Sequence, residues 1–182
     1  NAKANDALKL EVTGTPTAAD LLALDGKTSV VVDVKATSIT GTAADVKKLL
    51  ASKGVSLAKD VDIKIVQDTE VSAADVNAIA KATGGIVTAT VAAGTAAALN
   101  KALGNAVSKD KIKLNVIGKT ATAADLLALD GKTSVKVGAS EVETITGTVK
   151  DLAKALGATG ITLETDVAVS VSGTVKASDL KD

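Results

Sequence analysis

The chain lacks several amino-acid types on which protein chemistry often depends, and each absence removes a class of function. Its 182 residues contain no Phe, Tyr, Trp, His, Cys, Met or Arg. Without His, Cys or Tyr, a catalytic centre would have to be built from Asp, Glu, Lys, Ser and Thr, and no pattern singles out one set of them. The sequence therefore predicts that the protein is not an enzyme, with no catalytic residue, no metal ligand and no cofactor-binding residue.

Charge and hydropathy exclude two further classes of partner. The 21 Lys residues balance 21 acidic residues, whereas a nucleic-acid-binding surface is strongly basic. No apolar run approaches the length of about 18 residues that a membrane-spanning helix needs. We therefore expect no nucleic acid, no transmembrane segment and no small-molecule substrate. The lack of aromatic residues lowers the apolar area buried per residue, so stability must come from many similar layers.

An internal repeat determines the architecture. The segment TAADLLALDGKTSV occurs at residues 17–30 and again, unchanged, at 122–135. Within it lies a shorter repeat, in which a small turn residue precedes Thr at steps of roughly 26 residues, a length typical of stacked strand–helix repeats. Its first residues are Gly14, Gly41, Asp68, Gly94, Gly118, Gly147 and Gly173, with Lys119 inserted after Gly118.

Each repeat opens with alternating apolar residues, which is the pattern of a half-buried strand. The runs centre on Leu10, Val32, Ile63, Ala89, Leu114, Val137 and Val169. The segments 30–34 and 38–40 leave open the alternative that one unit contains a second short strand.

A helix-start signal follows five of the seven strand runs. Ser or Thr with Asp three residues later predicts a capped helix, because the hydroxyl can accept from a free amide and the carboxylate faces the positive end of the helix dipole. The pairs are Thr17/Asp20, Thr42/Asp45, Ser72/Asp75, Thr122/Asp125 and Thr148/Asp151.

Apolar residues at helical spacing after each cap predict one buried stripe per helix. The first positions are Leu21, Val46, Val76, Leu99, Leu126 and Leu152, and the second are Leu24, Leu49, Ile79, Ala102, Leu129 and Ala155. Glycines then end the helices, and we expect a left-handed conformation there. They are Gly26, Gly54, Gly84, Gly104, Gly131 and Gly157.

The sequence thus predicts an α/β repeat solenoid of about seven strand–helix units, with one parallel sheet and helices on one face. The array would occupy residues 1–182 as a single domain. Its units are about 1–28, 29–60, 61–85, 86–110, 111–133, 134–160 and 161–182.

Two chemical readings of these motifs compete with a purely structural one. The acidic residues of the cap pairs could bind calcium, but the glycine-rich loops of calcium-binding repeats are missing, so helix capping is favoured. The segments Gly26–Thr28 and Gly131–Thr133 read GKT, as at the end of a phosphate-binding loop. The first glycine of that motif would fall on Leu21, and GKT ends a helix here, so a nucleotide site is not expected.

Several segments resemble repeats of giant secreted cell-surface proteins of marine cyanobacteria and related bacteria. The resemblance is carried by residues 17–30, 38–54, 85–98 and 144–148 and covers essentially the whole chain. It implies a structural, adhesive or motility-linked role outside the cell and supplies no catalytic residue.

The expected function is a structural segment of an extended extracellular protein or fibre. Its partners would be neighbouring repeats or further copies of the chain, stacked head-to-tail, because the end strands are left without a neighbour. One alternative is adhesion or recognition through the exposed sheet face, and another is a reduced-alphabet designed protein. The outward sheet positions are Glu11, Asp33, Lys64, Thr90, Asn115, Gly138 and Ser170; their mixed charges argue against an ice-binding Thr ladder.

Overall fold

The computed structural model describes residues 1–66 and 70–173. The chain divides into two compact halves, Asn1–Thr90 and Val91–Asp182. The predicted turn at Asp68 and residues 174–182 of the last predicted unit lie outside the described residues.

The N-terminal half alternates short strands with helices of two to three turns. Its elements are β1 (Glu11–Val12), α1 (Ala18–Asp25), β2 (Val32–Val34), β3 (Ser38–Gly41), α2 (Ala43–Ala51), β4 (Val55–Ser56), β5 (Asp62–Ile65), α3 (Ala73–Ala82) and β6 (Val87–Thr90). The strands form two parallel ladders, β1–β2–β4 and β3–β5–β6. The helices form a third row, in which α2 packs against both α1 and α3.

The C-terminal half repeats the same arrangement. Its elements are α4 (Ala96–Ala102), β7 (Lys111–Lys113), β8 (Thr120–Thr122), α5 (Ala123–Asp130), β9 (Val137–Ala139), β10 (Thr144–Gly147), α6 (Val149–Gly157), β11 (Ile161–Leu163) and β12 (Ala168–Val171). The parallel ladders are β8–β10–β12 and β9–β11, and a bridge joins Asn115 to Gly138 beside β9. Helix α5 packs between α4 and α6.

The α/β class and the parallel pairing are confirmed, but the prediction of one sheet is wrong. The strands belong to several small sheets, because a repeat can contain two short strands with a bend between them. After β2 ends at Val34, the chain bends over residues 35–37 before β3 begins at Ser38. Ala36, within the bend, is buried like Val34, so the apolar pattern continues through the bend without revealing it. The second short strand that the sequence left open is therefore present.

The five predicted helix caps are confirmed, and Thr95 caps α4 through its hydroxyl as well. The hydroxyl of each capping residue accepts from the backbone N–H three residues later, as Thr17 does from Asp20 at 3.1 Å. In the five helices with an Asp at that position, the same hydroxyl donates to the Asp carboxylate, at 2.7 Å for Thr17 and Asp20. This pair of bonds satisfies one free amide and fixes the carboxylate against the first turn, where the helix dipole favours negative charge.

The predicted apolar stripe forms the core of each half. All six first-position side chains are buried, from Leu21 to Leu152. Among the second positions, Leu49, Ile79, Leu129 and Ala155 are buried, whereas Leu24 and Ala102 stay partly exposed. Helix α4 ends at Ala102, and the next residue, Leu103, is fully buried.

The prediction that glycines end the helices in a left-handed conformation is wrong. Gly26 and Gly131 follow helices, but their φ angles are −69° and −68°, which any residue adopts. In the described residues, the glycines with positive φ are Gly14, Gly118 and Gly173, all in the turns before a helix or at a strand end. Glycine is therefore required here to reverse the chain after a strand.

Candidate functional site: the stacking faces of the repeats

The surfaces through which successive repeats stack carry the most specific side-chain interactions in the molecule. Thr133, in the second GKT segment, is 5% exposed and lies between the strand that opens its own unit, 111–133, and the start of the next unit. Its hydroxyl donates to the Ile112 carbonyl at 2.8 Å and accepts from the Ile112 and Val135 N–H groups at 3.0 Å each. One buried hydroxyl thus satisfies backbone groups of two repeats, which an apolar side chain of the same shape could not do.

The first GKT segment makes the same connection. Thr28 is also 5% exposed, and its hydroxyl donates to the Leu8 carbonyl at 2.7 Å and accepts from the Leu8 and Val30 N–H groups. Thr83 occupies a related place and donates to the Val61 carbonyl at 2.6 Å. We call Thr28, Thr83 and Thr133 the threonine pins; Thr28 and Thr133 are buried, and Thr83 is partly exposed. Lys27 beside the first pin is exposed, and the threonine of the GKT segment is the residue that contacts the neighbouring backbone.

Two glycines bring a helix end of one repeat close to the backbone of the next. A Cβ atom on Gly54 would collide with the Asp25 carboxylate, and one on Gly160 would collide with that of Asp130. Ser52 also donates from its hydroxyl to Asp25 at 2.8 Å. Gly54 and Gly160 are therefore needed for close approach between repeats, a role that the helix-ending prediction for Gly54 did not contain.

The glycines of two Gly-Thr dipeptides also allow close packing between repeats. A Cβ on Gly41 would lie 2.9 Å from the Cβ of Ala18, and one on Gly147 would lie 3.2 Å from that of Ala123. Both alanines are the first residues of helices in the preceding repeat. The glycine before each of these caps therefore gives the neighbouring helix start room to pack.

Polar contacts link neighbouring helices at one recurring position. Asn100 of α4 donates from its side-chain amide to the Asp125 carboxylate of α5 at 2.9 Å. Lys47 of α2 makes the corresponding ion pair with Asp75 of α3. The hydrogen bond from Lys47 holds the pKa of Asp75 below its usual range, and the Ser72 hydroxyl acts in the same direction. In both cases a donor five residues after one cap meets the capping carboxylate of the next helix.

The outward sheet positions are those that recognition through the sheet face would use. They are exposed or partly exposed, but they lie in different ladders, with Asp33 in β2 and Lys64 in β5. Beside β2, Lys35 pairs with Asp33 at 2.7 Å, and the hydrogen bond from Lys35 to Asp33 raises the pKa of the lysine. This local pairing neutralises charge at the bend between strands.

An open groove lies at the strand-to-strand bends in each half. The N-terminal groove has a volume of about 430 Å³, and its charged lining residues are Asp33, Lys35, Asp60 and Asp62. The C-terminal groove, also about 430 Å³, has more acidic residues than basic ones; Lys119 pairs there with Glu143 at 2.9 Å. Neither groove is lined by Trp, Tyr or Arg, the residue types that dominate binding interfaces, because the chain contains none.

The five capping aspartates stay apart, each bonded within its own helix turn. In residues 1–66 and 70–173, no group of three or more acidic side chains is arranged to hold a metal ion. The candidate calcium ligands are thus placed as caps, in the arrangement that the Ser/Thr–Asp spacing indicates.

Sequence reasoning missed the threonine pins, the close approaches at Gly54 and Gly160, and the contacts between Asn100 and Asp125. The GKTSV segment could have indicated the pins Thr28 and Thr133, because it follows the helix unchanged in both copies of the repeat. Over the part of the chain that the structure describes, no helix is both long and apolar enough to cross a bilayer. Comparisons with protein-family models, with curated proteins and with solved structures find no match to this chain.

Proposed function

We propose that the chain is a structural repeat segment of an extended cell-surface or extracellular protein, built as a single solenoid of about seven strand–helix units. The observation that carries this proposal is that the most specific interactions join one repeat to the next. The threonine pins, the close approaches at Gly54 and Gly160 and the helix-to-helix contacts all serve stacking. No comparable set of side chains converges on a ligand in the described residues.

The solenoid part of the proposal rests on the arrangement within each half. Two strand ladders and one helix row run parallel, and each repeat contacts its neighbours in sequence. A stack of this kind has no intrinsic limit on the number of its repeats, because each new layer meets the same kind of face. Extended architecture and a spacer role follow naturally from such growth.

Exposed apolar strands support the further step of head-to-tail association. Leu8, just before β1, is 40% exposed, and Val169 and Val171 of β12 are 51% and 43% exposed. Strands β1 and β12 each have one partner strand among the described residues. An unpaired edge with apolar side chains favours addition of another strand, and a head-to-tail contact that does not close propagates as a filament.

The location outside the cell rests on the resemblance of the repeats to those of giant secreted surface proteins. A neutral, Cys-free chain rich in small residues is compatible with bacterial secretion. The role in this setting is mechanical, because the chain then separates or connects parts of a longer assembly.

Light scattering over a range of concentrations, followed by electron microscopy, tests the association. The proposal predicts a mass that rises with concentration and filaments one repeat stack wide. A well-folded, strictly monomeric species at high concentration contradicts head-to-tail association. Small-angle scattering tests the solenoid separately: an elongated particle supports a single stack, and a compact spherical one contradicts it.

A further inference from the structure

The two copies of the unchanged segment differ in what lies against them. Helix α5 has α4 on one side and α6 on the other, whereas α1 contacts α2 and no helix precedes it among residues 1–17. The side of α1 that faces away from α2 corresponds to the side of α5 that packs against α4. We call it the α1 face, defined by Asp20, Leu24 and the helix between them.

The buried copy shows what the α1 face fits. Asp125, which corresponds to Asp20, accepts from the side-chain amide of Asn100 in α4 at 2.9 Å. Leu129, which corresponds to Leu24, is fully buried, whereas Leu24 is partly exposed. Asp20 accepts from its own cap residue Thr17, and its carboxylate is directed as that of Asp125 is, because the cap geometry is the same.

The segment before α1 has the same local hydrogen bonds as the segment before α5. Lys3 and Asp6 form a turn in which the Lys3 N–H donates to the Asp6 carboxylate at 2.9 Å, and Val107 and Asp110 form the same turn with the same distance. Thr28 is bonded to Leu8 as Thr133 is to Ile112. Residues 1–12 therefore correspond to residues 105–116, the segment that leads from α4 to α5.

We propose that the α1 face is a docking surface for a repeat of the α4 type, which carries a buried Leu at the fourth position after its helix cap and an amide donor at the fifth. This deepens the proposed function, because it names the partner that one end of the stack takes. In the docked state the donor bonds Asp20 and the incoming helix covers Leu24. Among the described helices, α6 has Ala153 at the fifth position, so α4 and not α6 is the pattern for the docked repeat.

The chain itself supplies the probe. A second copy of residues 91–104 joined directly to Asn1 places an α4-type repeat before α1 with the junction that the chain uses between Gly104 and Asn105. We expect this extended chain to unfold at a higher urea concentration than the original. The matched control carries Leu99→Asp within the added copy, which should abolish the gain because a charge replaces the buried leucine.

Cross-linking provides a readout independent of stability. The chain contains no Cys, so a short thiol cross-linker reacts only where Cys is introduced. In the original chain, Asn100→Cys with Asp125→Cys is the positive control. In the extended chain, the same change in the added copy is combined with Asp20→Cys, and we expect a comparable yield of internal cross-link.

Two results overturn the proposal. One is cross-linking in the positive control but none in the extended chain, when circular dichroism shows added helix. The other is an equal gain in stability from the Leu99→Asp control, which would mean that any extension stabilises the chain. Both readouts are intramolecular, so they remain decisive even if light scattering finds the original chain monomeric and head-to-tail association fails.

Discussion

The same fourteen residues occur at 17–30 and at 122–135, and they adopt the same local structure in both places. Helices α1 and α5 begin after Thr17 and Thr122 with the same cap and end one residue before Gly26 and Gly131. Their burial differs: Leu129 is fully buried and Leu24 is partly exposed. Since the sequence is identical, the difference comes from what packs against each copy: α5 packs against both α4 and α6, whereas α1 packs against α2. The local sequence therefore determines the secondary structure of the repeat, and stacking determines how far its side chains are buried.

The largest expected difference between the copies concerns the leucine at the second stripe position. Leu129→Ala should reduce the free energy of unfolding by about 3 kcal/mol, because it removes a fully buried side chain and leaves a cavity. Leu24→Ala should cost only about 1 kcal/mol, because part of that side chain is already in water. Urea unfolding followed by circular dichroism measures both. Equal losses would contradict the assignment of burial to neighbouring helices.

The threonine pins provide the next comparison. Thr133→Val removes the hydroxyl but keeps the shape, and leaves the Ile112 N–H without its side-chain acceptor, so we expect a loss of about 2 kcal/mol. Thr28→Val should cost about 1 kcal/mol, because its partner Leu8 lies in an exposed segment whose backbone can turn to water. The Ser variants keep the hydroxyl and serve as controls. If Thr133→Ser is as destabilising as Thr133→Val, packing of the methyl group, and not the hydrogen bonds, accounts for the effect.

The helix caps should instead behave alike. Thr17→Ala and Thr122→Ala each remove a bond to the amide three residues later, and each should cost about 1 kcal/mol. The cap lies within a single helix turn, so a neighbouring helix adds little to it. Thermal unfolding of the two variants tests this equality. A cost at Thr122 several times that at Thr17 would show that the cap also contributes to stacking.

The smallest expected effect is the pH dependence of the contact between α2 and α3. The pKa of Asp75 is lowered in the folded state, so its stabilisation is present above the ordinary Asp pKa and is lost as the pH falls through the lowered value. The pair is largely exposed, so we expect only a few tenths of a kcal/mol. Comparing Lys47→Ala with the original chain at neutral pH and at about pH 2 isolates it. A difference that persists unchanged in acid would contradict the ion-pair origin.

Helix starts and core stripes were predictable from sequence because they are local. A hydroxyl three residues before an Asp, followed by leucine at helical spacing, fixes the start of α5 without any knowledge of its neighbours. The bend over residues 35–37 was not predictable in the same way, because buried Ala36 continues the apolar pattern. The structure therefore has several short ladders where the sequence predicts one sheet.

The stacking contacts required knowledge that no single repeat carries. The Thr133 hydroxyl bonds the backbone of Ile112, in the strand that opens its unit, and of Val135 in the next unit. Apart from the unchanged repetition of GKTSV, nothing in the local pattern distinguishes it from a surface threonine. Gly54 was assigned to a helix end, but its lack of a side chain is needed by Asp25 in the preceding repeat. Such roles depend on the offset between repeats, which only the three-dimensional arrangement defines.

Amide hydrogen exchange of the two identical segments, followed residue by residue by nuclear magnetic resonance, tests the central claim most directly. The chain then serves as its own control, because intrinsic exchange rates within both segments are the same. We predict that the amides of α5 exchange at least tenfold more slowly than those of α1, a factor equivalent to about 1.4 kcal/mol, because α5 has a neighbouring helix on each side. Equal protection of the two helices would contradict the account, since it would mean that each repeat is stabilised by its own sequence and not by stacking.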